Sequence, residues 1–492
     1  MAVGDKDLLS IQEARQLVER AYQAQQIWAK ASQAQVDRVC ASMADAAFLA
    51  SERLGRLAAD ETGYGVPEHK KLKNEFGSRY VWESIKDIKT VGVVNYDAEK
   101  RIYDIAWPMG VVAALVPSTN PTSTVMDKIL ISVKARNAIV VAPHPSAARC
   151  SLETARLMAA AAESAGAPKG LINCLTQISF PGTQELMAHK WTAVILATGG
   201  SDMVRVAHSM GKPAYGVGPG NVPVFVDRSA DLEKAARYIV ASKAFDSSVI
   251  CATEQAVVAD RPIADRLAQL MVNEGAYFID ETQADALRRT LFQPNGAIIP
   301  GSVGKTPQYL AALAGIRVPD HARILIARLD RVGPEEPLSR EKLTTVMGWY
   351  EADGWEAACE RCLELIRFGG RGHSLVIHAT DEKVIMAFGL EKPVFRIAVN
   401  TMATLGAIGM TTKVMPSFTL GSGGIGGAVT GDNITVYHLF NVKRLAFEVT
   451  APPDQAMHAG TVPAGSIKGP DPQQVAAVVE EVVREILKVK PS

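Results

Sequence analysis

The chain has 492 residues, 48% of them hydrophobic, which is enough for more than one buried core, excludes disorder over the whole length and predicts two or three domains. Lys+Arg and Asp+Glu balance at 52 each, so no net charge draws the protein to nucleic acid or to an anionic membrane surface. The opening residues lack the apolar core of a signal peptide and no apolar run approaches the roughly 18 residues of a membrane span, so a cytoplasmic protein is expected.

Residues 11–62 are rich in Ala, Gln, Leu, Glu and Arg with apolar positions at helical spacing, which predicts two or more amphipathic packing helices. Residues 91–107 read as extended. The run 110–117 is a buried strand ended by Pro117, followed by the loop Ser118-Thr119-Asn120-Pro121-Thr122 and a helix through Asn137. A second strand over 138–142 leads into the loop Pro143-His144-Pro145-Ser146 and an Ala-rich helix over 151–166. Strand, helix and strand in that order predict a parallel α/β sheet. The pattern returns with a strand over 191–198, the turn Gly199-Gly200-Ser201 and a helix over 202–210 whose first amides can face a phosphate. That turn is not GxGxxG, so a dinucleotide loop and a plain turn both stand for it. Gly304-Lys305-Thr306 ends like a phosphate loop, but Ile299 occupies the place of the required first glycine. A second α/β unit begins near Val222 and contains Cys251 and a strand over 374–378.

The six cysteines are few and scattered, as expected for free thiols in a reducing compartment. Cys359 and Cys362 form a CxxC on a helical stretch with no second pair to complete a metal site, and no metal is expected. Cys251 follows Phe245-Asp246-Ser247-Ser248-Val249-Ile250 and precedes the apolar run 256–259. Small residues before it admit a carbonyl to the sulfur and the strand after it anchors the thiol, a nucleophile's setting; the alternative is a buried small hydrophobe.

Taken in order, Pro117-Ser118-Thr119-Asn120-Pro121-Thr122, Pro143-His144-Pro145, Ala197-Thr198-Gly199-Gly200, 216–223 (GVGPGNVP), the Cys251 segment and 369–374 (GGRGHS) resemble the CoA-acylating branch of the aldehyde dehydrogenase superfamily. Within it the similarity extends to the aldehyde dehydrogenase half of aldehyde-alcohol dehydrogenases, to microcompartment acylating enzymes and to acylating sulfoacetaldehyde dehydrogenase, over residues 10–446. The resemblance implies an α/β, aldehyde dehydrogenase-like fold with a Rossmann-type cofactor domain, an α/β catalytic domain and small oligomerisation strands. It divides the chain into 1–221 (N-terminal helices and cofactor domain, with oligomerisation strands near 91–107), 222–424 (catalytic domain) and 425–451 (C-terminal oligomerisation segment).

The same resemblance implies that Cys251 is the catalytic thiol and that Asn120, with the Cys251 N–H, holds the carbonyl oxygen. His144, Thr198, Gly199, Gly200, Gly218 and Glu341 are implied in binding NAD or NADP, and His373 in proton transfer to, or contact with, coenzyme A. Where hydrolytic relatives begin the 217–221 segment with a water-activating glutamate, this chain has Val217, which cannot serve as a base. The expected activity is reversible NAD(P)-dependent conversion of an acetaldehyde-, propionaldehyde- or sulfoacetaldehyde-class substrate to its acyl-CoA, in a homodimer or homotetramer. A hydrolytic aldehyde dehydrogenase and a non-catalytic assembly protein are the alternatives. Ser247-Ser248 stand where the family often has Asn-Gly, which leaves the aldehyde open.

Residues 452–470 are rich in Pro, Ala and Gly and predict a flexible linker. Asp471-Pro472-Gln473-Gln474 begins a helix over 471–492 whose valines, Ile486 and Leu487 form one stripe. The stripe suits docking on the protein's own surface or a sister subunit, or a resemblance to the encapsulation peptides of bacterial microcompartments.

Overall fold

Three sheets organise the computed structural model, which describes residues 5–453 together with 471, 473, 474, 476 and 477. In chain order the strands are β1 (Gly92–Asp97), β2 (Ile102–Pro108), β3 (Val111–Val116), β4 (Ala138–Pro143), β5 (Ile172–Cys174), β6 (Thr192–Thr198), β7 (Ala214–Val217), β8 (Val222–Val226), β9 (Glu254–Asp260), β10 (Ala276–Ile279), β11 (Ile324–Arg328), β12 (Val346–Ala352), β13 (Leu375–His378), β14 (Ile397–Val399) and β15 (Phe440–Ala446). A five-stranded sheet has the order β5-β4-β3-β6-β7 and a seven-stranded sheet the order β10-β11-β12-β9-β8-β13-β14. Every pairing within these two sheets is parallel.

Parallel strands need crossover helices, and those helices cover both faces of the sheet. Accordingly β3 and β4 are buried at every residue, which is why their sequences run apolar without alternation. The N-terminal helices α1 (Lys6–Trp28), α2 (Gln33–Leu49), α3 (Ser51–Thr62), α4 (Pro67–Glu75) and α5 (Val81–Ile85) pack over and beside the first sheet, joined between α4 and α5 by a single π-turn, Phe76–Tyr80. The crossover helix α6 (Pro121–Lys134) is buried along all 14 residues, its polar ones included.

The third sheet, β1-β2-β15, is antiparallel and largely exposed, with Tyr96, Trp107, Val442 and Leu445 on its surface. It joins residues more than three hundred positions apart in the chain: the stretch 91–107, read as extended from sequence, forms a hairpin that gains its third strand from the far end. Asp471 Oδ1 accepts from the Gln473 N–H at 2.9 Å and residues 473, 474, 476 and 477 are helical. The remainder of the expected helix over 471–492, and the expected linker beyond residue 453, lie outside the described residues.

The two parallel sheets meet where the chain crosses from Val217, the last residue of β7, to Val222, the first of β8. Cys251 and His373 lie just before β9 and β13 respectively. The C-terminal edge of the smaller sheet therefore faces the N-terminal edge of the larger one. Such an edge is where open α/β sheets bind ligands.

Candidate active site

Cys251 sits on a loop held against local preference. Asp246, Ser247 and Ser248 have φ of 48°, 49° and 66°, three consecutive non-glycine residues in a region where Cβ crowds the backbone. The surrounding groups over-determine that turn. The Asp246 carboxylate accepts the Val66 N–H at 2.6 Å and pairs with Lys70 at 3.2 Å and with Lys73. The Asp246 N–H donates to His69 Nδ1 at 2.9 Å, and the His69 ring stacks on Phe245 with centroids 4.5 Å apart. All these partners belong to α4 or the residue leading into it. From this turn the chain reaches Cys251, partly exposed, and Thr253 N–H closes on the Ile250 carbonyl at 2.9 Å before β9 begins.

Asn120 ends the loop after β3 and leads into α6. Its Nδ2 donates to the Val249 carbonyl at 3.0 Å and to Thr119 Oγ1 at 3.2 Å, while its Oδ1 accepts from Lys73 Nζ at 2.5 Å. A lysine donates only, so the amide oxygen faces Lys73, one amide N–H faces the cysteine loop at Val249 and the other faces Thr119.

Gly220 brings the remaining groups together. Its N–H donates to Glu341 Oε1 at 3.0 Å, and a Cβ placed on it would lie 2.2 Å from the Cys251 carbonyl oxygen and 3.2 Å from His373 Nδ1. Asn221, next in the chain, pins this crossover by donating to the Ser339 and Leu365 carbonyls at 2.9 and 3.0 Å. His373 is buried, with Nδ1 3.0 Å from Ser374 Oγ and Nε2 without a hydrogen-bond partner. Arg396 donates to the His373 carbonyl at 2.7 Å, to the Gly431 carbonyl at 2.7 Å and to Ser374 Oγ at 3.3 Å.

Burial dominates the titration of these groups. It pushes the Cys251 thiol up to about 12, aided by the Glu341 carboxylate and opposed by Arg396 and by the Cys251 and Ala252 N–H groups. Glu341 rises to about 8 through burial, against the Gly220 N–H and the ammoniums of Lys243 and Lys342. His373 falls to about 3 through burial and then Arg396, so its imidazole is neutral and a weak base, with Nε2 open to accept a hydrogen bond. Val217, where a base would stand, is buried in an apolar cluster with Phe76, Phe245, Ile250, Ala252 and Phe418, against which Cys251 packs.

The expected cofactor residues lie along neighbouring strand ends. His144 follows β4, with its N–H on the Val116 carbonyl at 3.1 Å and its Nδ1 2.7 Å from Ser146 Oγ. Thr198 ends β6 with its hydroxyl 3.1 Å from Thr419 Oγ1, and the Gly199 N–H reaches the Val217 carbonyl at 3.5 Å. Gly200 precedes the helix Ser201–His208, whose first amides have no side-chain cap, and a Cβ on Gly200 or Gly218 would meet nothing within 4 Å. Open backbone beside uncapped amide donors is what a pyrophosphate needs, so these residues fit a dinucleotide. Cys251, Asn120, Glu341, His373 and Gly218 thus gather at the crossover, Thr198–Gly200 borders it, and His144 lies two strands away across β3.

Sequence reasoning missed Lys70, Lys73, Asp246 and Arg396. The α4 sequence, PEHKKLKNE, reads as a solvated face, yet Lys70 and Lys73 are 3% and 1% exposed. The available signal was spacing: His69, Lys70 and Lys73 share one helical face.

Two parallel α/β sheets thus face each other across a thiol, an amide donor and an edge that fits a dinucleotide. A family profile described as the aldehyde dehydrogenase family matches residues 3–278, and the chain belongs to that family. It is 41% identical over 429 residues to aldehyde-alcohol dehydrogenase 2 of Entamoeba histolytica, covering 85% of this chain and 48% of that one. The chain thus spans about half the length of the aldehyde-alcohol dehydrogenases it matches. It is 36% identical to the succinate-semialdehyde dehydrogenase (acetylating) of Clostridium kluyveri, covering 88% of this chain and 95% of that one. Among solved structures, an acetylating aldehyde dehydrogenase from Geobacillus thermoglucosidasius superposes with a TM-score of 0.90 at 50% identity, over 92% of this chain and 100% of that one.

Proposed function

We propose that this chain catalyses the reversible oxidation of a short aldehyde to its acyl-CoA, with NAD or NADP as co-substrate. The observation that carries this reading is the apolar environment of Val217 beside Cys251, with His373, its Nε2 unpartnered, near the same face of Gly220 as the Cys251 carbonyl. Cys251, its thiol proton passing to solvent, adds to the aldehyde carbonyl, and the developing oxyanion takes hydrogen bonds from the Cys251 N–H and from the Asn120 N–H that it draws away from Thr119. Each such donor is worth on the order of 3 kcal/mol of barrier. When bound at the 198–200 and 218 edge, with Glu341 and His144 on its riboses, NAD or NADP supplies the hydride acceptor. The acyl group remains on Cys251 as a thioester. No carboxylate at position 217 activates water, so the thioester awaits a thiol, and the free Nε2 of the neutral His373 contacts the incoming coenzyme A as a hydrogen-bond acceptor.

The names of the acetylating relatives support the same reading over the hydrolytic one. The sheet boundaries support a cofactor domain through residue 221 and a catalytic domain from 222, and the apolar outer face of β1-β2-β15 supports a homo-oligomer. The test is nicotinamide reduction at 340 nm with acetaldehyde, propionaldehyde and sulfoacetaldehyde, with and without CoA and with either nucleotide. Strict CoA dependence that vanishes in Cys251→Ala is expected; free acid formed without CoA would defeat the proposal. Turnover that survives removal of residues 452–492 would separate an enzyme from an assembly protein acting through its tail.

A further inference from the structure

Lys73 occupies a place that no part of the mechanism above uses. It is among the most deeply buried side chains of the protein, and its ammonium has two polar contacts: the Asp246 carboxylate and Asn120 Oδ1 at 2.5 Å. The first contact anchors the left-handed turn that carries Cys251. The second sets the rotation of the Asn120 amide, one N–H of which reaches the cysteine loop at the Val249 carbonyl. Its neighbour Lys70 pairs with the same carboxylate at 3.2 Å and donates to the Thr119 carbonyl at 3.2 Å, one residue from Asn120. Two buried ammoniums thus share one carboxylate, and no second carboxylate pairs with either among the described residues. Buried charges are normally matched, because an unmatched one costs several kcal/mol of desolvation. A surplus cation stabilises an anion that forms within its field; the Lys73 ammonium holds Asn120 Oδ1, and the Cys251 thiol acts on it through space, as the weakest of its neighbours.

We infer that Lys73 is a positioning residue of the reaction: it aims the Asn120 amide at the substrate oxygen and leaves one surplus positive charge behind the developing thiolate and oxyanion. The inference rests on the catalytic assignment of Cys251 and Asn120 made above. The groups facing Lys73 are Asp246 and Lys70 together with Asn120, the Phe245 ring 6.0 Å away and the Cys251 thiol beyond the turn. Burial lowers the Lys73 ammonium to about 8, with Asp246 holding it up against Lys70, so it is charged at neutral pH.

The test uses the full-length protein and Lys73→Met, with Lys73→Arg as the conservative rescue and Asn120→Ala as the partner in a double-mutant cycle. Two quantities are read: kcat with KM for the aldehyde, and the rate of iodoacetamide alkylation of Cys251 at a fixed pH of about 8, where the rate follows the small thiolate fraction. Alkylation requires no turnover, so it reports on Lys73 even where the proposed reaction fails. For Lys73→Met the expected result is a kcat loss of about 100-fold, that of one oxyanion donor, with KM within about threefold. Alkylation slows by at least about threefold, Lys73→Arg recovers at least about tenfold in kcat, and in the Asn120→Ala background the lysine substitution costs less than about tenfold more. A kcat within about threefold of wild type with an unchanged alkylation rate overturns the inference, as does a full, additive loss on top of Asn120→Ala. Should Lys73→Met fail to fold, Lys73→Gln, which keeps a donor for Asn120 Oδ1 and removes the charge, is read by the same alkylation rate, and an unchanged rate there is equally decisive.

Discussion

Gly220→Ala tests whether the nucleophile's seat is rigid. Gly220 lacks a left-handed φ, so alanine meets no backbone strain of its own there; the obstacle is the Cys251 carbonyl oxygen, 2.2 Å from where the new Cβ would stand. Real Cβ contacts do not fall below 3.0 Å, so the two backbones must separate by roughly 1 Å. Asn221 anchors one side through two buried hydrogen bonds, so much of the shift falls on the cysteine loop. A misplacement of about 1 Å at the reacting atoms costs about 100-fold in rate, or about 2.7 kcal/mol of barrier. Overpacking should also lower stability by about 1–3 kcal/mol. The assay is CoA-dependent nicotinamide reduction alongside thermal denaturation, with Gly218→Ala as the control in the same loop, since its Cβ meets nothing within 4 Å. Gly218→Ala should keep its stability and kcat while raising KM for the nucleotide. If Gly220→Ala retains more than about a third of wild-type kcat at unchanged stability, the loop relaxes freely and the argument for a rigid seat is wrong.

Three further outcomes are expected. Val217→Glu places a carboxylate in the apolar cluster beside Cys251 and should open a CoA-independent route to the free acid, rising with pH because burial holds the new acid protonated, at a stability cost of about 1–3 kcal/mol; a folded variant whose thiol still alkylates yet makes no free acid would refute this. Glu341→Gln removes the carboxylate that raises the Cys251 thiol, and because Glu341 ionises only near 8, Cys251 alkylation should quicken above that pH and change little below 7; superimposable profiles would count against the contact. His373 binds a proton only near pH 3 in the folded state but near its ordinary 6.5 when unfolded, so stability falls as the pH drops between those values. At pH 4.5 that penalty is about 2.7 kcal/mol, two pH units at 1.36 kcal/mol each, and His373→Asn should flatten the acid limb of a denaturant-derived stability profile by about that amount.

What the amino-acid order determined by itself was whatever depends on local pattern. Continuous apolar runs such as 110–117 and 138–142 mark strands covered on both faces, and β3 and β4 form there. Glycine and proline punctuation located the loops bearing Asn120, His144, Gly200 and Gly218, and the order of short motifs pointed to the family and to Cys251. The tertiary structure alone decided what those residues meet. The Cys251 turn is held by α4, 170 to 180 positions earlier, whose lysines look like solvent-facing charge in any local window because only the fold removes water from them. Charge pairing follows distance in space. A chain written in one dimension does not show that Lys73 faces both Asp246 and Asn120, nor that Gly220 must be small because the carbonyl of Cys251 passes beside it.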